Sequence, residues 1–202
     1  TFLRPYDLPE KSGSAGQSCT DDEVRLVKVC ENGHSEPEDT VAKDGQEVGE
    51  IIIKSPAKSA YCYFNNSEMT EKRFYKGYMY TGDLGVWDEH EFVTVVGRKD
   101  DMIVSAGENI YPTQIEAILN EHPKVRESAV IGIPDRMRGQ IVAAYVIPEE
   151  GVELTSAELK EYCANHPMLS PYKRPRQYHI VTELPHTATG KLMHYVLRKN
   201  HQ

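Results

Sequence analysis

The sequence has 202 residues, of which 39% are hydrophobic and 27% charged. That length holds one large domain or two small ones, since domains run about 100–200 residues, and the composition is that of a folded, somewhat polar chain rather than a disordered one. No run of about eighteen apolar residues is present to span a bilayer, and the opening TFLRPYDLPEKSGSAG lacks the basic stretch and apolar core of a signal peptide; the expected location is cytoplasmic. The net charge of −8 is uneven: residues 1–101 carry 12 Lys and Arg against 20 Asp and Glu, whereas residues 102–202 carry 11 of each. A general nucleic-acid binder needs a broad basic excess, so nucleic acid is not an expected partner. The neutral half still contains the basic knot Lys173-Arg174-Pro175-Arg176, a local place for an anion.

Residues 1–96 read as mostly β. Residues 23–29 (EVRLVKV) alternate apolar and charged side chains as a half-buried strand does. Residues 48–54 (VGEIIIK) are β-branched and follow the turn pair Asp44-Gly45. Residues 31–44 are polar and acidic, and predict an exposed loop. Residues 84–87 and 92–96 flank Asp88-Glu89-His90, a hairpin turn. Residues 97–111 mix charge, glycine and short apolar stretches and read as a connector.

From Pro112 the pattern becomes α/β. Proline suits a first helical turn, Ile115, Ile118 and Leu119 share one helical face, and His122-Pro123 stops the helix. Residues 125–133 and 141–147 are β-branched strands separated by the charged stretch 135–138 and Gly139. Thr155 and Glu158 form a capping box that opens a second helix, with Leu159, Tyr162 and Cys163 on one face. Residues 177–182 read as a strand and 192–199 as a short basic helix. The second half is thus a connector followed by α-β-β-α-β-α, an α+β unit of ordinary domain size. The four cysteines, at 19, 30, 62 and 163, have no CxxC or zinc-finger spacing and read as reduced thiols; no metal set is identified.

Three stretches can carry chemistry. In Tyr80-Thr81-Gly82-Asp83-Leu84 the aspartate follows a glycine in what reads as a tight turn, where an ionised carboxylate can accept from two adjacent hydroxyls such as a ribose diol, or bond its own backbone. In Gly97-Arg98-Lys99-Asp100-Asp101 the arginine can meet phosphate or a hydroxyl, or form surface ion pairs. Thr187-Ala188-Thr189-Gly190-Lys191 is not a phosphate loop of the Walker type, because Pro185 stands where that pattern needs glycine and Leu192 where it needs Ser or Thr. Its lysine remains a point charge able to reach a developing anionic oxygen.

In order and spacing these stretches resemble the acyl- and aryl-CoA synthetases of the adenylate-forming superfamily. The resemblance rests on YMYTGDLG (78–85), GRKDDMIVSAGENIYPTQIE (97–116), VIGIPDRMRGQ (130–140), SPYKRP (170–175) and ELPHTATGK (183–191). It implies ATP/AMP, CoA and magnesium as cofactors and a carboxylic acid as substrate. Asp83 would bind the ribose hydroxyls, with Arg98 beside it. Asp100 would be the hinge of a rotating small domain, and Lys191 the catalytic lysine of the adenylation conformation. The Gly107 loop would border the pantetheine channel. Tyr172, Arg174 and Arg176 would meet the CoA nucleotide, as would Arg138.

The family's Ser/Thr/Gly-rich phosphate loop has no match in the chain. Nor does its aromatic-Gly-Thr-Glu segment, whose Glu helps hold magnesium. The acyl pocket belongs to the same missing part. The resemblance therefore implies an α+β C-terminal portion, inactive alone: a β-rich partial-barrel subdomain over 1–99, then a small mobile lid domain over 100–202. Ser67 stands where relatives often have proline, which concerns a turn. GENIYP and PYKRP resemble CoA ligases of medium-chain, benzoate or coumarate type, that is, fatty or aromatic acid chemistry. Two other readings stay open: a non-catalytic module binding CoA or a partner, and a fragment of another adenylate-forming enzyme, such as a peptide-synthetase adenylation domain or a fatty acyl-AMP ligase.

Overall fold

The computed structural model describes residues 1–19, 21–30, 33–55 and 62–199. The chain divides into two compact units, Thr1–Asp100 and Asp101–Gln202, each mixed α+β and built on a five-stranded sheet. Cys19, Cys62 and Cys163 are free thiols.

The first unit contains β1 (Glu23–Lys28), β2 (Gly49–Lys54), α1 (Ser67–Arg73), β3 (Phe74–Tyr75), β4 (Tyr78–Trp87) and β5 (Val93–Arg98). β4 is central: β2 and β1 follow on one side, and β3 and β5 pair with successive parts of β4, all antiparallel. Alternation sends Leu26, Ile51, Trp87 and Val93 to one cluster and Val27, Ile52, Tyr78 and Tyr80 to the other, so both faces of the sheet are covered.

The sequence reading put a tight turn at Gly82-Asp83. The structure instead runs β4 straight through it as a bulge. Ile52 pairs with Tyr80 and Glu50 with Leu84, so residues 81–83 oppose Ile51 alone. Gly82 absorbs the extra length at φ +73°. The Thr81 hydroxyl stands in for the lost ladder bonds, donating to the Ile51 carbonyl at 2.8 Å and accepting from the Asp83 amide at 3.0 Å. The hairpin at 88–92 forms as expected, its Asp88 carboxylate accepting from the amides of His90 and Phe92. Helix α1 was not legible because it buries no residue and so shows no apolar face; Asn66 caps it by accepting from the Met69 amide. In the acidic stretch 31–44, residues 31 and 32 lie outside the described residues; the remainder forms no strand, and Val41 is buried within it.

The second unit contains β6 (Ile103–Ser105), β7 (Glu108–Ile110), α2 (Pro112–Asn120), β8 (Val125–Asp135), β9 (Gly139–Pro148), α3 (Ser156–Asn165), β10 (Gln177–Ile180) and α4 (His194–Lys199). The connector expected over 97–111 is mostly structured. It holds the end of β5, a 3-10 turn at Lys99–Asp101 and the β6–β7 hairpin. Only Ile103 and Ile110 bury apolar side chains there, too few for a visible period of two. Ala106 and Gly107 both take positive φ, as a two-residue hairpin turn requires.

β8 and β9 pair along their whole length, and β10 joins β9 in parallel. Val130, Val142, Ala144 and Val146 pack with Ile115, Leu119, Leu159 and Cys163 of α2 and α3. The alternate residues Ala129, Ile131, Ala143, Tyr145 and Ile147 pack with Leu184, Leu192 and Leu197. Both faces of the hairpin are therefore covered, which is why these strands read as nearly continuous apolar runs.

The capping box at α3 is present: Thr155 accepts from the Glu158 amide at 3.2 Å and Glu158 from the Thr155 amide at 2.8 Å. Glu158 also meets the Lys124 ammonium at 2.6 Å. These bonds, that to Lys124 foremost and those to Thr155 next, hold its carboxyl down at about 2. Replacing Thr155 with Ala is expected to cost about 1 kcal/mol of unfolding free energy, measured by urea denaturation; an unchanged midpoint would show the cap to be idle. The folded value of Glu158 is depressed, so its contribution is present above the unfolded carboxyl range near 4.3 and lost as pH falls toward about 2. The stability gap between wild type and Glu158→Gln should close over that acid interval.

Candidate functional site

In the first unit the geometry centres on the β4 bulge. Asp83 and Arg98 face each other in register across β4 and β5, and an Arg98 Nη1 donates to Asp83 Oδ1 at 2.6 Å. Asp83 Oδ2 has no hydrogen-bond partner among the described residues. The pair is partly exposed, so its net worth to stability is small, but the guanidinium fixes the carboxylate and leaves one oxygen free to accept.

The glycine beneath is there for a neighbour. A Cβ on Gly82 would lie 2.1 Å from Arg73 Nη1. Arg73 fills that space, largely buried, reaching the Tyr80 carbonyl at 3.4 Å and Asp100 Oδ2 at 3.5 Å. Next to Asp100, the Lys99 ammonium meets Glu50 Oε2 at 2.7 Å, and the Glu50 side chain is only 3% exposed. Arg73, Glu50 and Lys99 were not singled out from the sequence. Gly82 was the signal for Arg73; nothing local points from Lys99 to Glu50, which are 49 residues apart.

In the second unit, two of the expected CoA-side positions come together. The Gly107 turn abuts the 135–138 turn, where the Ala106 amide donates to the Arg138 carbonyl at 2.9 Å. Asp135 shapes that turn by accepting from the amides of Met137 and Arg138. Ser105 and Arg176 both attach to β9, at Gly139 and at the Val142 carbonyl three residues on. Arg176 is exposed, Tyr172 is 47% exposed, and Arg174 is held inward by donating to the Leu169 carbonyl at 3.2 Å.

Lys191 is exposed on a loop of its own. The loop closes on itself through Thr187, whose amide donates to the Lys191 carbonyl and whose hydroxyl accepts from the Lys191 amide. The Lys191 ammonium makes no ion pair among the described residues. Two histidines flank it. His186 places Nε2 2.6 Å from Glu127 Oε1 and Nδ1 2.8 Å from the Leu184 carbonyl. The Glu127 bond raises its pKa, burial opposes, and the carbonyl adds to the rise. His194, mostly buried, places Nε2 2.7 Å from Glu116 Oε1 and Nδ1 3.9 Å from Asp101 Oδ2. Burial pulls its pKa down and Arg198 opposes protonation, but the Glu116 bond and the charges of Glu116 and Asp101 outweigh them, and the net shift is upward. Neither histidine was singled out beforehand; a histidine on each side of the lysine was the available signal.

Among the described residues no group of three or more His, Cys, Asp or Glu side chains is placed to hold a metal ion, and no helix is long and apolar enough to cross a membrane.

Residues 114–191 match the AMP-binding enzyme C-terminal domain family. The chain is 37% identical over 204 residues to the 2-succinylbenzoate–CoA ligase of Geobacillus sp. (strain WCH70), covering 98% of this chain and 38% of that protein. The o-succinylbenzoate CoA synthetase (MenE) of Bacillus subtilis, solved with the acyl-adenylate OSB-AMP, matches at TM-score 0.79 and 35% identity over 97% of this chain and 37% of its own. The anthranilate CoA ligase AuaEII, solved with anthranoyl-AMP, matches at 0.80 and 32% over 98% and 36%. The chain thus spans well under half the length of these relatives.

The Glu50–Lys99 contact makes a sharp stability prediction. Lys99→Ala strands a buried carboxylate and is expected to cost about 3 kcal/mol by denaturant unfolding, whereas Lys76→Ala, at the exposed Lys76–Glu36 pair, is expected to leave the unfolding midpoint nearly unchanged. Equal losses would show that burial does not set the difference.

Proposed function

This chain is related over nearly its whole length to the C-terminal part of adenylate-forming CoA ligases, and on that premise we propose that the complete protein converts a carboxylate, ATP and CoA into acyl-CoA, AMP and pyrophosphate. In the first step a carboxylate oxygen attacks the α-phosphorus and pyrophosphate leaves. In the second the CoA thiolate attacks the acyl carbonyl and AMP leaves. The observation that carries this chain's part is the Asp83–Arg98 pair, which offers an oriented carboxylate with an oxygen still open to accept from a ribose diol.

Lys191 serves the first step. Its exposed ammonium supplies positive charge to the oxygens around the α-phosphorus as negative charge gathers there. The second step needs different donors, because one arrangement is not complementary to two successive transition states. Rotation at Asp100 supplies them by exchanging Lys191 for the face that holds Gly107 and Arg138. Arg174, Arg176 and Tyr172 then meet the CoA nucleotide through charge and ring stacking. Magnesium would enter with ATP, and no group of three or more His, Cys, Asp or Glu side chains among the described residues is placed to hold it. The carboxylate is best read as aromatic: the relatives described above are named for 2-succinylbenzoate and anthranilate, and none of them for a fatty acid.

In the complete protein, Lys191→Ala should slow adenylate formation by about a hundredfold or more while leaving thioester formation from supplied acyl-adenylate nearly unchanged. Stopped half-reactions measure the two, and equal loss in both removes the assigned role. Asp83→Ala should weaken AMP binding by roughly tenfold to a hundredfold, as the loss of charged hydrogen bonds implies; calorimetry reads it. This chain alone is expected to give no carboxylate-dependent pyrophosphate exchange.

A further inference from the structure

Among the described residues, the loop that presents Lys191 makes no hydrogen bond or ion pair outside itself. Residues 187–191 are all exposed, and their internal bonds run from Thr187 to Thr189, Gly190 and Lys191. Its position is therefore set by its two stems. The first stem is His186, which bridges Leu192 through the backbone and whose ring lies between Glu127 of β8 and the Leu184 carbonyl. Both ring nitrogens face oxygens that only accept, so only the doubly protonated ring satisfies both contacts. The second stem ends at His194, the first residue of α4, whose two nitrogens face Glu116 of α2 and Asp101. Asp101 is itself held by Arg198 at 2.8 Å.

We propose that His186 and His194 are positioning residues for Lys191: two imidazolium–carboxylate clamps, one on each stem, that fix where its ammonium is presented and release it as the rings lose their protons. The inference rests on the adenylation reading of Lys191 and adds to it a cause for the loop's placement. Around His186 the facing groups are the Glu127 carboxylate and the Leu184 carbonyl. Around His194 they are Glu116, Asp101 and the opposing cation Arg198. Both rings carry raised pKa values, so each clamp is whole below about 6.5 and is lost as pH rises through the folded value. A small displacement of a reacting group is enough to cost up to about a hundredfold in rate.

His186 is the residue to change, since it is partly exposed and its replacement spares the buried pair at His194. In the complete protein, His186→Ala is expected to lower kcat for adenylation by about tenfold with KM for ATP unchanged, and to leave thioester formation from supplied acyl-adenylate unaffected. His186→Lys keeps a cation against Glu127 at every pH below about 10. The ratio of its adenylation rate to that of wild type should therefore rise about threefold or more between pH 6 and pH 9, a change that a merely structural role does not produce and that cancels the titration of substrates. A flat ratio, or an equal loss in both half-reactions for His186→Ala, overturns the clamp. Lys191→Ala in parallel separates the two levels. If it leaves adenylation intact, the reading of Lys191 has failed and the clamp fails with it. If it slows adenylation as expected while His186→Ala leaves kcat for adenylation unchanged, the clamp alone is overturned.

Discussion

β8 and β9 pair from Val125 to Pro148 with apolar side chains on both faces, and neither face can be left to water. Burying each large aliphatic side chain contributes about 1.5–3 kcal/mol, so the hairpin draws a cover onto each side. α2 and α3 cover one face. The chain from Leu184 to Leu197 covers the other, and Lys191 lies within that cover. The tip of the same hairpin forms the 135–138 turn that carries Arg138, and the edge of β9 holds both β6 and Arg176. Lys191, Arg138 and Arg176, three of the cationic groups proposed to meet a phosphate in this unit, are thus hung on one doubly buried hairpin, through a covering segment, a turn and an edge.

The first unit solves a different problem with the same economy. A carboxylate proposed to accept from a diol must be fixed without using both of its oxygens. The β4 bulge accomplishes this in three residues: Thr81 replaces the missing ladder bonds, Gly82 turns the backbone through a positive φ, and Asp83 then faces Arg98 across the strand pair. Gly82 serves a second purpose, because the room its missing side chain leaves is filled by the Arg73 guanidinium, which reaches Asp100.

Charge is handled by pairing rather than by excess. Lys99 is fixed to Glu50 within the first unit, and Asp101 is fixed to Arg198 and faces His194 within the second. Each neighbour of Asp100 is therefore tied by charge to its own unit, an arrangement compatible with the pivot proposed at that position. Lys191 is handled differently. Its ammonium makes no ion pair among the described residues, so its charge stays available to a ligand while the histidines on its stems are paired with Glu127 and Glu116.

Much of this was legible in order along the chain. Strands β1, β2, β8 and β9, helix α2 and the capped start of α3 follow from alternation, from a 3.6-residue period and from Thr155 and Glu158, all of which are local signals. The ordered motifs likewise place Asp83, Arg98 and Lys191 without reference to contacts. What failed was local in another way. Gly82-Asp83 has the composition of a turn, and residues 97–111 that of a connector, because a bulge and a short hairpin satisfy their hydrogen bonds through partners far away in sequence. Glu50 with Lys99, Glu116 with His194 and Glu127 with His186 lie 49, 78 and 59 residues apart. The sequence by itself determined which elements form and which residues carry charge. Only the tertiary structure decided which charges neutralise one another, because an ion pair depends on distance in space and leaves no period in the chain.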